Sequence, residues 1–131
     1  MREDYKKLTK EWLKRANNDF LFAKAGFEET GIAMDTCFLV HQSVEKYLKG
    51  YLVDNNIEPE RSHVLPRVLK KCIKMDDSFS QLEEGCEFLN KFYQPSRYPG
   101  GVILDFTKDE AEESLKIAKE IIDFIKQKVK L

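Results

Sequence analysis

A chain of 131 residues is long enough to bury a core without staples, and its three cysteines, Cys37, Cys72 and Cys86, form no CxxC pair that would suggest a disulfide set or a zinc site. A formal net charge of -1 excludes an overall field that gathers nucleic acid or anionic lipid, so a polyanion must meet a local basic patch. The start, MREDYKKLTKEW, is too charged for a signal peptide and no run approaches a membrane span, so the chain reads as one cytoplasmic domain over residues 1–131, with reduced core cysteines and no membrane association.

From Asp4 to Glu29, the residues Leu8, Trp12, Ala16, Phe20, Ala23 and Phe27 recur at steps of four or three, which predicts one long helix with a buried face. Gly31 ends it. A second helix, from Met34 or Asp35 to about Asn55, carries Cys37, Val40, Val44, Tyr47 and Tyr51 on one line with Leu48 and Leu52 beside it. So wide a stripe belongs to a helix with neighbours on more than one side. After the polar loop DNNIEPERS, Ser62 is the expected N-cap of a shorter helix holding Val64, Leu65, Val68, Leu69 and Cys72, with Pro66 in its first turn.

KMDDS interrupts that pattern, and Leu82, Cys86, Leu89, Phe92 and Tyr93 mark a further helix that stops before Pro95. Thr107 followed by Glu110 resembles a capping box, and Ala111, Leu115, Ala118, Ile122, Ile125 and Val129 continue from it at helical spacing. GGVILDF is the only segment of β-branched character and reads as a loop or extended crossing. The expected architecture is all-α: an up-and-down four-helix bundle with a short extra helix.

Gln42, Glu45, Lys46 and Lys49 share about a third of the second helix's circumference. This polar band is either a solvated face with Glu45 and Lys49 as an i,i+4 pair, or a dimer seam or ligand-facing strip. His41 borders the band, where a packed residue with one hydrogen bond is the structural reading and catalysis the functional one. His63 opens a helix after a loop, from which it either caps its own turn or reaches a neighbouring site. The only two histidines have no accompanying cysteine or carboxylate at ligand spacing, and PGG follows a helix and lacks a suitably placed lysine. No metal and no cofactor are therefore expected.

The stretch YQPSRYPGG, Tyr93 to Gly101, stands apart from the helical patterns. Its local chemistry fits a helix-ending turn, with Pro95 and Pro99 stiffening it, Gly100 and Gly101 supplying positive φ, and Arg97 capping carbonyls or bonding a carboxylate such as Asp19. The alternative is a phosphate site, because a guanidinium can bind phosphate bidentately and the Tyr98 ring can offer a base a stacking surface.

Four segments in order, EWLKRANNDFLFAKAGFE, CFLVHQSVEKYLKGYLV, SHVLPRVLKKC and YQPSRYPGG before a last long helix, together resemble the HEPN domain over nearly the whole chain. The matching positions are Trp12, Ala16, Asp19 and Ala23; Gln42, Glu45, Lys46 and Lys49; His63 and Leu65; and Arg97 and Tyr98. The resemblance implies a helical bundle that pairs into a homodimer and is associated with nucleotides or RNA, often encoded beside a minimal nucleotidyltransferase. The superfamily's ribonucleases, several of them toxins, are metal-independent and carry an arginine followed after four to six residues by a histidine, with two copies forming one cleft. Here the arginine is Arg97, and the histidine position falls on Val102, Ile103 or Leu104, none of which transfers a proton.

The resemblance therefore implies, first, a dimeric nucleotide- or RNA-binding module acting with a nucleotidyltransferase partner as a toxin–antitoxin-like pair. Its ligand-binding residues are Arg97, Tyr98, Lys46 and Lys49, and Tyr98 is the tyrosine that such a partner could modify. The alternatives are a metal-independent endoribonuclease, with Arg97 and His63 as catalytic residues in a dimer cleft, and a purely structural helical bundle.

Overall fold

The computed structural model describes residues 2–93 and 105–129. Arg97 and Tyr98, with the prolines, glycines and aliphatic residues between Gln94 and Leu104, lie outside the described residues. Among those described, the structure is helical without strands: α1 (Arg2–Thr30), α2 (Ala33–Asp54), α3 (Leu65–Met75), a 3-10 turn (Asp77–Leu82), α4 (Glu83–Asn90) and α5 (Lys108–Lys128).

The α1–α2 hairpin turns at Gly31, whose φ of +68° suits a residue without a Cβ. Its N–H donates to the Phe27 carbonyl at 2.8 Å and closes the helix end. The two helices then run antiparallel at close range. A Cβ on Gly50 would stand 3.0 Å from Leu13 Cδ2, and the Ser43 hydroxyl donates to the Ala16 carbonyl at 2.7 Å, so small residues set the approach. On α1, Ala16, Phe20 and Ala23 are buried as the spacing predicts, whereas Leu8 is half exposed and the adjacent Thr9 is buried in its place.

Every apolar residue expected on α2 is buried, and the helix packs against α1, α3, α4 and α5. The wide stripe is thus the signature of a central helix. The ten-residue connection after α2 brings the chain back along the bundle, so α3 starts beside Glu45 and passes Leu48, where the Cys72 thiol meets the Leu48 carbonyl at 3.7 Å. α3 consequently runs alongside α2 in the same sense, and α4 returns antiparallel to both.

The start of α3 departs from expectation. Its N-cap is Val64, and the Ser62 hydroxyl accepts from the Val64 N–H at 3.1 Å, a local turn one step earlier. The Leu65 N–H instead donates to the Asn90 side-chain oxygen at 2.9 Å, so a residue of α4 satisfies an open donor of α3. Asp76 caps the 3-10 turn through Ser78 and pairs with Lys128 at 3.0 Å. The Ser78 hydroxyl and then Lys128 hold its carboxyl down to about 2. At α5 both halves of the expected capping box are present: the Glu110 N–H donates to the Thr107 hydroxyl at 3.0 Å and the Thr107 N–H to the Glu110 carboxylate at 2.9 Å.

Candidate functional site

The polar band of α2 lies near the junction of α3 and α4, and there it proves to be largely interior. Glu45 and Lys49 are 8% and 5% exposed, and they pair at 2.8 Å. The solvated-face reading is therefore corrected: the i,i+4 pair exists, but the segment carrying His63 covers it from above. His63 Nδ1 lies 3.0 and 3.2 Å from the two Glu45 oxygens, with its own side chain half exposed. His63 thus reaches across to a carboxylate of α2.

His41, one helical turn before Glu45, is fully buried, and its Nδ1 stands 3.9 Å from Glu45 Oε1. Neither ring nitrogen makes a hydrogen bond of good geometry, although the His63 backbone and the Asn90 side chain lie close enough to favour its protonated form. Burial pushes its pKa down to about 4, while Glu45 pulls the other way. His41 is accordingly a neutral, apolar-like wall of the site at neutral pH.

Tyr93 joins the two imidazoles. Its ring stacks on His63 at 5.2 Å and 22°, and on His41 at 5.6 Å and 26°. α4 ends at Asn90, three residues short of Tyr93, so this tyrosine is the first residue beyond the turn at α4's end rather than the last of a core helix. The far stem of the same loop is tied to the same place. Phe92 meets Phe106 edge-on at 4.7 Å, and Lys91 pairs with Glu110 at 2.9 Å, so the ends of α4 and α5 are clamped together.

The remaining cation of the band is separated from this cluster. Lys46 turns toward α1 and pairs with Asp19 at 2.7 Å, keeping about a quarter of its side chain exposed (28%). Asp19, one carboxylate considered for Arg97, thus has Lys46 as its partner. Lys49 is set behind Glu45 and its charge is used inside the fold, so it supports the site from within rather than standing at its surface as a ligand contact. Gln42 is half-buried.

Sequence reasoning singled out His63, Lys46 and Lys49 but not Tyr93 or Asn90 as parts of one assembly. The available signal was an aromatic residue at the mouth of a loop rich in proline and glycine, where a helical line gives out. The three thiols carry no chemistry here: burial raises Cys37 to about 11 and Cys72 and Cys86 to about 12. Among the described residues no group of three or more histidines, cysteines or carboxylates is arranged to hold a metal ion, and no helix is long and apolar enough to cross a membrane.

The chain as a whole has counterparts in known proteins. The chain is 31% identical to a protein of Methanocaldococcus jannaschii named "Putative toxin MJ1304", over 95% of this chain and 90% of that one. Its fold matches the crystal structure of TT1696 from Thermus thermophilus with a TM-score of 0.80 at 28% identity, covering 92% of this chain and 97% of that one. It also matches ST0689, described as an archaeal HEPN homologue, with a TM-score of 0.75 at 29% identity, covering 93% and 98%. The HEPN domain family model spans residues 9–128, from the first turns of α1 to the end of α5. A match that takes in all the packed helices and the whole His63–Glu45 cluster leaves one conclusion, that the chain belongs to the HEPN domain family.

Proposed function

We propose that this chain is the toxin-like member of a two-component pair. In this reading it is a cytoplasmic, single-domain homodimer that binds RNA or a nucleotide through His63, Tyr93 and the segment bearing Arg97 and Tyr98, and it acts with a minimal nucleotidyltransferase. The observation that carries this reading is the stacking of Tyr93, the residue just before that segment, on a half-exposed, carboxylate-held His63. Arg97 follows Tyr93 by only four positions in the sequence. An imidazole, an arginine and two tyrosines are a suitable chemical set for a phosphate and an adjoining base, with Lys46 as a further cation. The toxin name of the Methanocaldococcus relative supports the same role.

The test is fluorescence anisotropy with a labelled single-stranded RNA, run alongside light scattering to read the dimer. Arg97→Ala is expected to weaken binding about tenfold or more, as for loss of a charge-assisted contact, and to reduce its salt dependence. Affinity equal to wild type in both Arg97→Ala and His63→Ala would set this reading aside.

A second reading, metal-independent endoribonuclease, is favoured by one specific feature: His63 is a proton-transfer group near the loop in a chain that lacks the histidine after Arg97. Incubation of purified protein with RNA in EDTA tests it. Cleavage should disappear in Arg97→Ala and His63→Ala, and intact RNA with wild-type protein removes the reading.

A further inference from the structure

One buried carboxylate, Glu45, gathers three nitrogen groups: Lys49 Nζ at 2.8 Å, His63 Nδ1 at 3.0 and 3.2 Å, and His41 Nδ1 at 3.9 Å. Paired with an ammonium, it is a carboxylate and offers only lone pairs, so the His63 nitrogen against it must be the donor, Nδ1–H. A neutral imidazole with its proton on Nδ1 has a bare Nε2. The Tyr93 ring stacked on one face of His63 restricts rotation of that imidazole, so the ring is held by an edge and by a face.

We propose that Glu45 is a positioning residue that locks His63 in the Nδ1–H tautomer and so makes Nε2 of a half-exposed imidazole the proton acceptor of the site. Lys49 fixes Glu45 from behind. The catalytic half of this proposal rests on the ribonuclease reading above. In that step Nε2 takes the proton of a ribose 2′-OH as its oxygen bonds to the adjacent phosphorus. The bond from phosphorus to the 5′ oxygen breaks, its electron pair leaves with that oxygen, and a proton from the imidazolium or water completes the 5′-hydroxyl. The other product is a 2′,3′-cyclic phosphate. His63 would in this way supply in space what Val102, Ile103 and Leu104 do not supply in sequence.

The experiment is nitrogen-15 NMR of the imidazole rings in the full chain, whose only two histidines are told apart by a His41 variant. It is paired with RNA cleavage kinetics in EDTA. Glu45→Gln alone strands the Lys49 charge, so the decisive variant is Glu45→Leu with Lys49→Met, which removes both charges with similar volume and is checked for helicity by circular dichroism. Wild-type His63 should show Nδ1–H, and the double variant should revert to the Nε2–H form that an unconstrained histidine side chain prefers. In the double variant kcat should fall about 10- to 100-fold, with KM within about threefold. A wild-type Nε2–H tautomer, or a tautomer unchanged in the double variant, overturns the positioning claim. A locked tautomer with cleavage rates equal in wild type, His63→Ala and the double variant overturns the catalytic half. A locked tautomer in a wild-type protein that cleaves no RNA overturns the ribonuclease reading and leaves the positioning claim standing.

Discussion

Two i,i+4 ion pairs in this protein are almost the same object in sequence and different objects in space. Glu45–Lys49 on α2 and Lys119–Asp123 on α5 are closed at 2.8 and 2.7 Å, yet their side chains are 6–10% exposed in the first and 52–60% in the second. The α5 pair stands in water, where attraction is offset by side-chain entropy and screening. The α2 pair is central to the bundle under the segment that carries His63. There each charge depends on the other, because a lone buried ion has lost its water. A pair that costs this much to bury is more informative about the site it supports than about stability.

The sharpest way to break the comparison is to remove one charge of the buried pair. Lys49→Ala is expected to lower unfolding free energy by about 3–5 kcal/mol, the penalty of an uncompensated buried carboxylate. Replacing both residues, by Glu45→Leu with Lys49→Met, should recover most of that loss, since two apolar side chains need no partner. Urea denaturation of the two variants beside wild type measures both. Equal losses for the single and double variants would mean that packing, and not charge, decides the site.

His41 provides the next largest effect, and its sign follows from burial. With a folded-state pKa of about 4 against an ordinary 6.5, the unfolded chain binds the proton first as pH falls, so stability contributed by neutral His41 is present above about 6.5 and lost between 6.5 and 4. The groups facing it are Glu45, His63 and the Tyr93 ring. Wild type should therefore lose on the order of 2–3 kcal/mol relative to His41→Leu on going from pH 7 to 4.5. The variant also removes two buried ring nitrogens that make no hydrogen bond of good geometry. Parallel pH profiles for the two proteins would show that His41 is hydrated rather than sealed.

What could be read from the sequence divides along a physical line. The helices were legible because burial of one face imposes a 3.6-residue period, and the α5 start was legible because a capping box is complete within four residues. The α3 start was not, because its open N–H is satisfied by Asn90, 25 residues away, and the nearby Ser62 offered a plausible local substitute. Burial of Glu45 and Lys49 was hidden for the same reason. Spacing records which residues share a helix face and is silent on what the rest of the chain lays over that face. Tyr93 was visible as one more aromatic on a helical line and as the first residue of YQPSRYPGG, whereas its part in the site comes from α4 ending at Asn90. Family resemblance supplied Arg97 and Tyr98, and the described structure adds the stems on which their loop stands.

The capping box gives a third step on the same scale. Thr107→Ala removes the hydroxyl that accepts from Glu110 N–H and should cost about 1 kcal/mol in urea denaturation. The loss should exceed any from the α5 ion pair, because an unmet helix donor has no substitute as good as its cap.

The smallest effect is the most discriminating for the comparison itself. Lys119→Ala on α5 removes a pair as short as the buried one, and alanine is the better helix former, so the net change should stay within about 0.5 kcal/mol in either direction. Raising the salt concentration should shrink it further, since both partners are more than half exposed. The same salt series on Lys49→Ala should leave its much larger loss nearly unchanged, because mobile ions do not enter the space between α2 and the His63 segment. If the two variants respond alike to salt, the Glu45–Lys49 pair is solvated in solution, and Glu45 then has no dry environment from which to fix the tautomer of His63.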